Sequence, residues 1–259
     1  MRAAAIALAL AALAACGGRQ QQGVAYDPRA LPAGALGDEI RYGRDIVMET
    51  RRIVPQDVRA RMDCAACHID GGTRSRAGSF VGTYAAFPQW NARAHRVIAL
   101  QDRLAECFLY SMNGRPPAYS SREMVALVAY IAWLSRGTPT QQVAARAQSF
   151  VVALPRGAPN PGRGATLYLQ RCAACHGANG SGNGAFPALW GEGSFNRGAG
   201  MAHVNRMTGF VYYNMPQNAP GTLTKQDAYD VAAFVLSHAR PGFRKDAAVG
   251  FPALPASYF

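Results

Sequence analysis

The spacing of apolar residues along this chain predicts helices. In residues 37–48, Ile40, Ile46 and Val47 fall on one helical face, which an amphipathic helix would turn toward a core. A second helix is predicted over residues 103–113, where the Gly-Arg-Pro-Pro run that follows would stop it. Because no segment of the sequence is strand-rich, the pattern predicts an all-α protein.

Two further helices have recognisable N-terminal caps. Ser120 is followed three residues later by Glu123, which forms a capping box, and the helix that it opens is predicted to run to Leu134. Thr224 and Asp227 repeat this spacing at the start of another predicted helix. Apolar residues also match between these two helices, so the sequence predicts two copies of one helical unit. An aromatic residue of each closing helix is expected to pack against the first helix of its unit.

The repeat and the positions of Pro and Gly divide the chain into domains. Glycine and proline interrupt regular structure and mark connections, and they are concentrated between the two helical units. The predicted divisions are a leader at 1–16, a tether at 17–36, a first domain at 37–137, a linker at 138–161, a second domain at 162–245 and a C-terminal tail at 246–259.

The leader resembles a bacterial export signal. The charged Met1-Arg2 precedes an apolar stretch that is too short to span a bilayer. The stretch ends in Leu-Ala-Ala-Cys16, which resembles the lipobox of lipoproteins, where the cysteine is lipidated and becomes the mature N-terminus. A conventional signal peptide is the alternative. We expect export to the periplasmic side of the envelope, with a membrane contact made only through a lipid at Cys16.

The charge of the chain restricts its partners. The 27 Lys and Arg residues outnumber the 15 Asp and Glu residues, which gives a formal charge of +12. A basic protein often binds nucleic acid, but the sequence contains no Lys/Arg-rich run and no nucleic-acid motif. An anionic small substrate or an acidic electron-transfer partner fits this charge better than nucleic acid does.

One five-residue string, Cys-Ala-Ala-Cys-His, occurs twice, 108 residues apart. Cys-x-x-Cys-His is the attachment signature of c-type haem, in which the two thiols bind the porphyrin covalently and the histidine binds the iron. A zinc site built from four cysteines is the alternative, but zinc pairs usually lie within ~15–20 residues of each other. The sequence predicts two covalently bound haem c groups. Their predicted attachment residues are Cys64, Cys67, Cys172 and Cys175, and the axial histidines are His68 and His176.

The second axial ligands are predicted to differ between the two sites. Met215, which is followed by proline, lies 39 residues after His176, whereas the residue 39 positions after His68 is Cys107. A thioether ligand raises the potential of a haem, which suits an electron-exit site. We therefore expect a His/Cys site followed by a His/Met site. The competing ligands are Met112 for the first iron, and Met201 and Met207 for the second.

Arginines surround Cys107 in the sequence. Arg103 and Ser111 lie four residues before and after it and would share its face of an α-helix. Arg93 and Arg96 precede this helix, and further arginines follow the first haem motif. Guanidinium groups grip anions with several oxygens, so the set is predicted to form an anion pocket. The alternative for each arginine is a solvated surface position or a partner of a haem propionate.

Two stretches around Cys107 carry a resemblance to a known family. They are Phe87-Pro-Gln-Trp-Asn-Ala-Arg93 and Cys107-Phe-x-x-Ser111-Met-Asn-Gly114. With the haem motifs, they resemble the dihaem thiosulfate dehydrogenase family over roughly residues 37–241. The second stretch is much more specific than the haem motifs, because every c-type cytochrome shares those.

The resemblance implies oxidation of two thiosulfate ions to tetrathionate, and also the reverse reaction. It implies that His68 and Cys107 bind the catalytic iron and that Arg93 and Ser111 belong to the substrate pocket, to which we add Arg103. His176 and Met215 would bind the second iron, from which a soluble or membrane-bound cytochrome or another acceptor takes electrons. Asn214 departs from family members that carry lysine before the distal methionine.

The mechanism that we expect begins with arginines that hold thiosulfate against the sulfur of Cys107. That sulfur would form a covalent adduct with the outer sulfur of the ion, and a second thiosulfate would release tetrathionate. A dihaem electron carrier without catalytic activity, or a cytochrome subunit of a sulfur-oxidising complex, is the alternative.

Overall fold

The computed structural model describes residues 26–140 and 150–244. The leader with Cys16, residues 17–25 of the predicted tether, residues 141–149 of the predicted linker and the tail at 246–259 lie outside these residues. Lipidation, export and the exact domain limits therefore stay predictions.

The described chain is built from helices, with one short hairpin. The helices are α1 (Ala35–Met48), α2 (Thr50–Ile53), α3 (Ile69–Gly72), α4 (Leu100–Glu106), a π-helix (Cys107–Ser111), α5 (Arg122–Leu134), α6 (Pro161–Arg171), α7 (Ala173–His176), α8 (Val204–Asn214) and α9 (Lys225–Leu236). Strands β1 (Gln89–Asn91) and β2 (Arg96–Ile98) pair antiparallel, with Trp90 opposite Val97. The all-α prediction is confirmed, although the hairpin was not predicted.

Two helix starts differ from the predicted ones. The N-cap of α5 is Ser121 and not Ser120, because the Ser121 hydroxyl accepts a hydrogen bond from the backbone N–H of Met124. Helix α4 begins at Leu100, three residues before the predicted start, where the Asp102 carboxylate accepts a hydrogen bond from the Ala99 N–H. The capping box of Thr224 and Asp227 is present as predicted.

In each domain, a glycine lies where the first and last helices cross and allows their close approach. A Cβ on Gly43 of α1 would lie 2.0 Å from the carbonyl oxygen of Ala126 in α5, and a Cβ on Gly164 of α6 would lie 2.1 Å from that of Asp230 in α9. Only a residue without a side chain allows this approach. The predicted aromatic contact is present in the second domain, where the rings of Tyr168 and Phe234 lie 5.4 Å apart.

Buried hydrogen bonds join the two domains. The side-chain amide of Asn196 donates to the Leu109 carbonyl at 2.8 Å, and its backbone N–H donates to the Tyr110 carbonyl at 3.1 Å. Asn214, which is also fully buried, donates to the carbonyl of Arg76 at 2.9 Å. Because buried polar groups are costly to leave unpaired, these bonds fix the second domain against the loops of the first.

Candidate active site and haem-binding residues

Both motif histidines are oriented for iron binding by a backbone carbonyl. The Nδ1 of His68 is hydrogen-bonded to the Gly78 carbonyl, and the Nδ1 of His176 lies 3.0 Å from the Pro187 carbonyl. Since a carbonyl can only accept, Nδ1 carries the proton and Nε2 keeps its lone pair. Burial lowers the pKa of His68 to about 4 and lowers the pKa of His176, which favours the neutral imidazole that a metal requires.

A cavity of about 860 Å³ lies beside the second motif. Cys172, Cys175, His176 and Met215 line it, and so does Cys67 of the first motif. The thiols, the oriented histidine and the thioether are the donor set that a covalently attached haem requires, so these residues fit the group. Met201 and Met207 also line the cavity, so the assignment of Met215 as the ligand stays a prediction.

Cys107 is the first residue of the π-helix. The backbone N–H of Met112 donates to the Cys107 carbonyl at 3.0 Å, an i to i+5 bond. The α-helical geometry that would place Ser111 on the face of Cys107, and Met112 away from it, is therefore wrong for this turn. Ser111 is the last residue of the π-helix, and Met112 is packed in the core with 2% exposure. Single π turns inside helices are frequent at functional sites.

The fold brings Cys107 to the first haem motif. Burial raises the pKa of both Cys64 and Cys67, and the charge of Cys107 adds to each shift, so Cys107 lies near both motif cysteines. Burial raises the pKa of the Cys107 thiol itself, whereas Arg103 and Arg93 oppose that shift. The predicted placement of Cys107 beside the first motif is thus consistent with the structure, and iron ligation by its sulfur stays a prediction.

Arg103 and Arg93 are both close enough to Cys107 for their charges to oppose the effect of burial on its pKa, and their role in binding an anion stays a prediction. Arg103 forms an ion pair with Glu106 at 2.8 Å, and the proximity of Cys107 is the main factor that raises the pKa of Arg103. Arg93 stacks on the ring of Tyr110 at 5.0 Å. Glu106, which is 5% exposed, also accepts a hydrogen bond from Asn91. The site therefore combines a sulfur atom with two guanidinium groups and one buried carboxylate.

The other predicted arginines have partners of their own. Arg96 pairs with Asp102 at 3.0 Å, and Arg74 pairs with Asp70 at 2.8 Å. Arg76 stacks over the ring of Tyr213 in the second domain. For these three, a place in the anion pocket stays a prediction.

Two residues of the second domain that were not predicted lie near the arginines of this site. Arg206 is close enough to Arg103 and Arg93 for their charges to lower its pKa, with burial as the larger cause. His203 lies near Arg206 and Arg93. No local pattern could have indicated these residues, because about 100 residues of chain separate them from Arg103.

Among the described residues, no three His, Cys, Asp or Glu side chains are grouped to hold a bare metal ion. No helix in this part of the chain is long and apolar enough to cross a bilayer.

Comparisons with known proteins agree with this architecture. Residues 56–140 match the family model described as SoxA/TsdA, cytochrome c domain, and residues 162–239 match the family model of cytochrome c. The first match covers the first helical unit from residue 56 onward, after α1 and α2, and the second match covers most of the second unit. They show two cytochrome c domains, which implies that the chain binds haem c in both.

Curated relatives match over most of the chain. A thiosulfate dehydrogenase of Allochromatium vinosum is 41% identical over 83% of this chain and 83% of its own length. One of Stutzerimonas stutzeri is 38% identical over 82% of this chain and 70% of its own length. A solved structure of thiosulfate dehydrogenase (TsdBA) from Marichromatium purpuratum matches 89% of this chain with a TM-score of 0.80 and 34% identity, and this chain spans 53% of the solved one. From its two cytochrome c domains and these relatives, the chain belongs to the thiosulfate dehydrogenase family.

Proposed function

We propose that this protein is a dihaem c-type cytochrome that oxidises two thiosulfate ions to tetrathionate. The observation that carries this proposal is the convergence of Arg93 and Arg103 on Cys107 beside the first haem motif. Guanidinium groups bind oxyanions, and a sulfur atom near them can react with the outer sulfur of a bound thiosulfate. Its relatives are named thiosulfate dehydrogenases, which supports the same substrate.

The reaction removes two electrons from two dianions. Two S₂O₃²⁻ ions yield one S₄O₆²⁻ ion and two electrons, and an S–S bond forms between the outer sulfur atoms. When bound, the haem groups supply one-electron redox chemistry. His68 and Cys107 would hold the first group at the site of reaction, and His176 and Met215 would hold the second.

Cys107 is proposed to carry the first thiosulfate covalently. Its thiolate and one S₂O₃²⁻ would form Cys–S–S–SO₃⁻ with release of two electrons to an external acceptor, proposed to be a cytochrome or another electron acceptor. A second S₂O₃²⁻ would then attack the sulfur of the adduct that is bonded directly to the sulfur of Cys107. The Cys107–sulfur bond breaks, tetrathionate leaves and the thiolate returns, so atoms and charges balance. Arg103 and Arg93 stabilise the thiolate and the incoming anion by their positive charge.

The test uses purified protein that carries both haems. Thiosulfate-dependent reduction of ferricyanide is followed while tetrathionate is quantified in the same sample. One tetrathionate for every two ferricyanide ions reduced, at a steady rate, would support the proposal. Tetrathionate reduction with a reduced dye tests the reverse direction, which is also proposed. If neither reaction occurs, a non-catalytic electron carrier or a subunit of a larger sulfur-oxidising complex becomes the better description.

A further inference from the structure

The second domain contributes a cation to the site at Cys107. We propose that Arg206 forms a second anion subsite there, which binds the second thiosulfate ion and the far sulfonate of tetrathionate. This inference rests on the proposed function and adds to it a substrate-binding residue from the other domain.

Backbone contacts between the domains place Arg206 at this site. Arg93 donates from Nη1 to the carbonyl of Gly198 in the second domain at 2.8 Å. Two residues later, a Cβ on Gly200 would lie 2.9 Å from Nη1 of Arg206. One short segment of backbone therefore contacts the guanidinium of Arg93 and that of Arg206.

The same region packs on the turn that carries Cys107. The 3₁₀ turn Gly200–Ala202 lies against the π-helix Cys107–Ser111. A Cβ on Gly198 would lie 2.5 Å from the Tyr110 ring, so the segment meets the π-helix without intervening space. The position of Arg206 relative to Cys107 is thus set by packed backbone and not by a long loop.

The charges around Arg206 also favour the binding of an anion at this position. Glu106 neutralises part of the charge of Arg103, whereas no carboxylate among the described residues lies within ion-pair distance of Arg206. Arg206 instead faces the positive charges of Arg93 and Arg103, and His203 adds a titratable nitrogen nearby. A cluster of like charges is unfavourable unless an anion occupies it, and a partly exposed guanidinium remains accessible to one.

The proposed reaction explains why a second subsite is needed. The second thiosulfate, a dianion, must approach the adduct on Cys107, which carries a negatively charged sulfonate, and the repulsion between them opposes that approach. Arg93 and Arg103 lie beside Cys107 and are suited to the ion that forms the adduct. A further cation near the site would offset the charge of the attacking ion, and Arg206 of the second domain is the residue proposed to supply it.

The test compares Arg206→Gln with Arg197→Gln in protein that carries both haems. Arg197 is an exposed arginine of the same segment that lies near Arg240 instead of the site. We expect Arg206→Gln to lower kcat/KM for thiosulfate roughly 10–100-fold, the usual effect of losing a hydrogen bond to a charged group. Arg197→Gln should match the wild type. In Arg206→Gln, mass spectrometry should still detect the thiosulfate adduct on Cys107, because the first ion binds elsewhere.

A measurement on the wild-type enzyme covers the case in which the variant does not fold. Phenylglyoxal modifies accessible arginines, and we expect tetrathionate to protect Arg206 from it but not Arg197. Equal kinetics for the two Gln variants, or modification of Arg206 that tetrathionate does not slow, would overturn the second subsite. A wild-type enzyme that forms neither adduct nor tetrathionate would instead overturn the proposed function itself.

Discussion

At the scale of single residues, Cys107 is controlled by opposing effects. Burial disfavours its thiolate, and the buried carboxylate of Glu106 adds to this, whereas Arg103 and Arg93 favour the thiolate. The nearest basic group, Arg103, is in turn held by Glu106. The chemistry at Cys107 therefore depends on an arrangement of charges in which each group limits another.

Replacing this cysteine tests its proposed role directly. We expect Cys107→Ala to reduce thiosulfate oxidation by at least 10³-fold, on the order seen when a nucleophile is removed. Both haems should stay attached, because the cysteines of the two motifs are unchanged. Activity is measured with ferricyanide, and haem content is measured from the absorbance of the denatured protein in alkaline pyridine.

Met112→Leu is the matched control, since Met112 is buried nearby and leucine conserves its volume. It should keep its activity and its stability to within about 1.5 kcal/mol. The near-infrared spectrum of the ferric protein, which distinguishes thiolate from thioether ligation, should change in Cys107→Ala and not in Met112→Leu. The opposite result would assign the ligand role to Met112.

The pH dependence of stability should show the effect of Asp57. Burial and the nearby Glu123 raise the pKa of Asp57 to about 6, from about 3.9 in an unfolded chain. Between these values the folded protein binds the additional proton, so stability falls as pH rises through this window. We expect Asp57→Asn to be more stable than the wild type at pH 7 by about 1 kcal/mol, after allowance for solvent screening.

Urea unfolding of the two proteins between pH 4 and 7 checks this. The advantage of Asp57→Asn should shrink as the pH falls from 6 to 4, because Asp57 then becomes neutral as well. A difference that stays constant over this range would assign the effect to packing and not to charge.

At the scale of elements, the sequence predicts helices better than it predicts their irregular turns. Periodicity located α1, and the capping box located α9, because both signals are local. The π turn after α4 has no such signal. The Met112 carbonyl that follows it accepts hydrogen bonds from the backbone N–H groups of Arg59 and Ala60, so that end of the turn is fixed by a distant loop. For this reason, the prediction that Cys107 and Ser111 share one face of an α-helix was wrong for this turn.

The helix crossings should tolerate no side chain at their glycines. In Gly164→Ala, the methyl group would lie 2.1 Å from the Asp230 carbonyl oxygen, so α6 and α9 must separate. Alanine favours a helix by about 1 kcal/mol, but we expect the collision to outweigh this and to lower stability by about 2 kcal/mol overall. Thermal unfolding of the haem-containing protein measures the change.

Gly162→Ala in the first turn of the same helix is the control. Its methyl group would meet only the side chain of Asn160, at 3.3 Å. We expect a change within about 0.5 kcal/mol, in line with ordinary surface substitutions. If both variants lose stability equally, the close crossing at Gly164 is not the cause.

At the scale of the whole molecule, the two cytochrome c domains could be predicted from the sequence, and the packing of one domain on the other could not. The two cysteine motifs are contiguous in sequence, and the equal spacing to Cys107 and Met215 follows from the repeat of one domain. Arg206 and Asn196 act across the domain boundary. Their partners are fixed only when the two domains pack together, and a single sequence carries no pattern for that packing.

Asn196 is expected to couple the stability of the two domains. Asn196→Ala would leave the buried Leu109 carbonyl without the amide that now bonds it, at a cost of about 1–3 kcal/mol. Calorimetry of the haem-containing protein should show the thermal transition broadening or splitting, because each domain can then unfold more independently. Asn183→Ala, at an exposed asparagine within the second domain, should leave the transition unchanged. A single sharp transition in both variants would contradict this coupling.

Residues of both motifs line one cavity, and this has a consequence for the rate of turnover. Cys67 lines the cavity of Cys172 and Cys175, and buried asparagines hold the domains on either side of it. Packing among the described residues therefore sets the distance between the motifs, and we expect that no domain closure is needed in each cycle. A more viscous solvent would then not slow turnover, because no domain movement would limit it. We expect kcat at saturating thiosulfate to stay constant as glycerol thickens the medium, whereas a fall in proportion to viscosity would reveal a moving step.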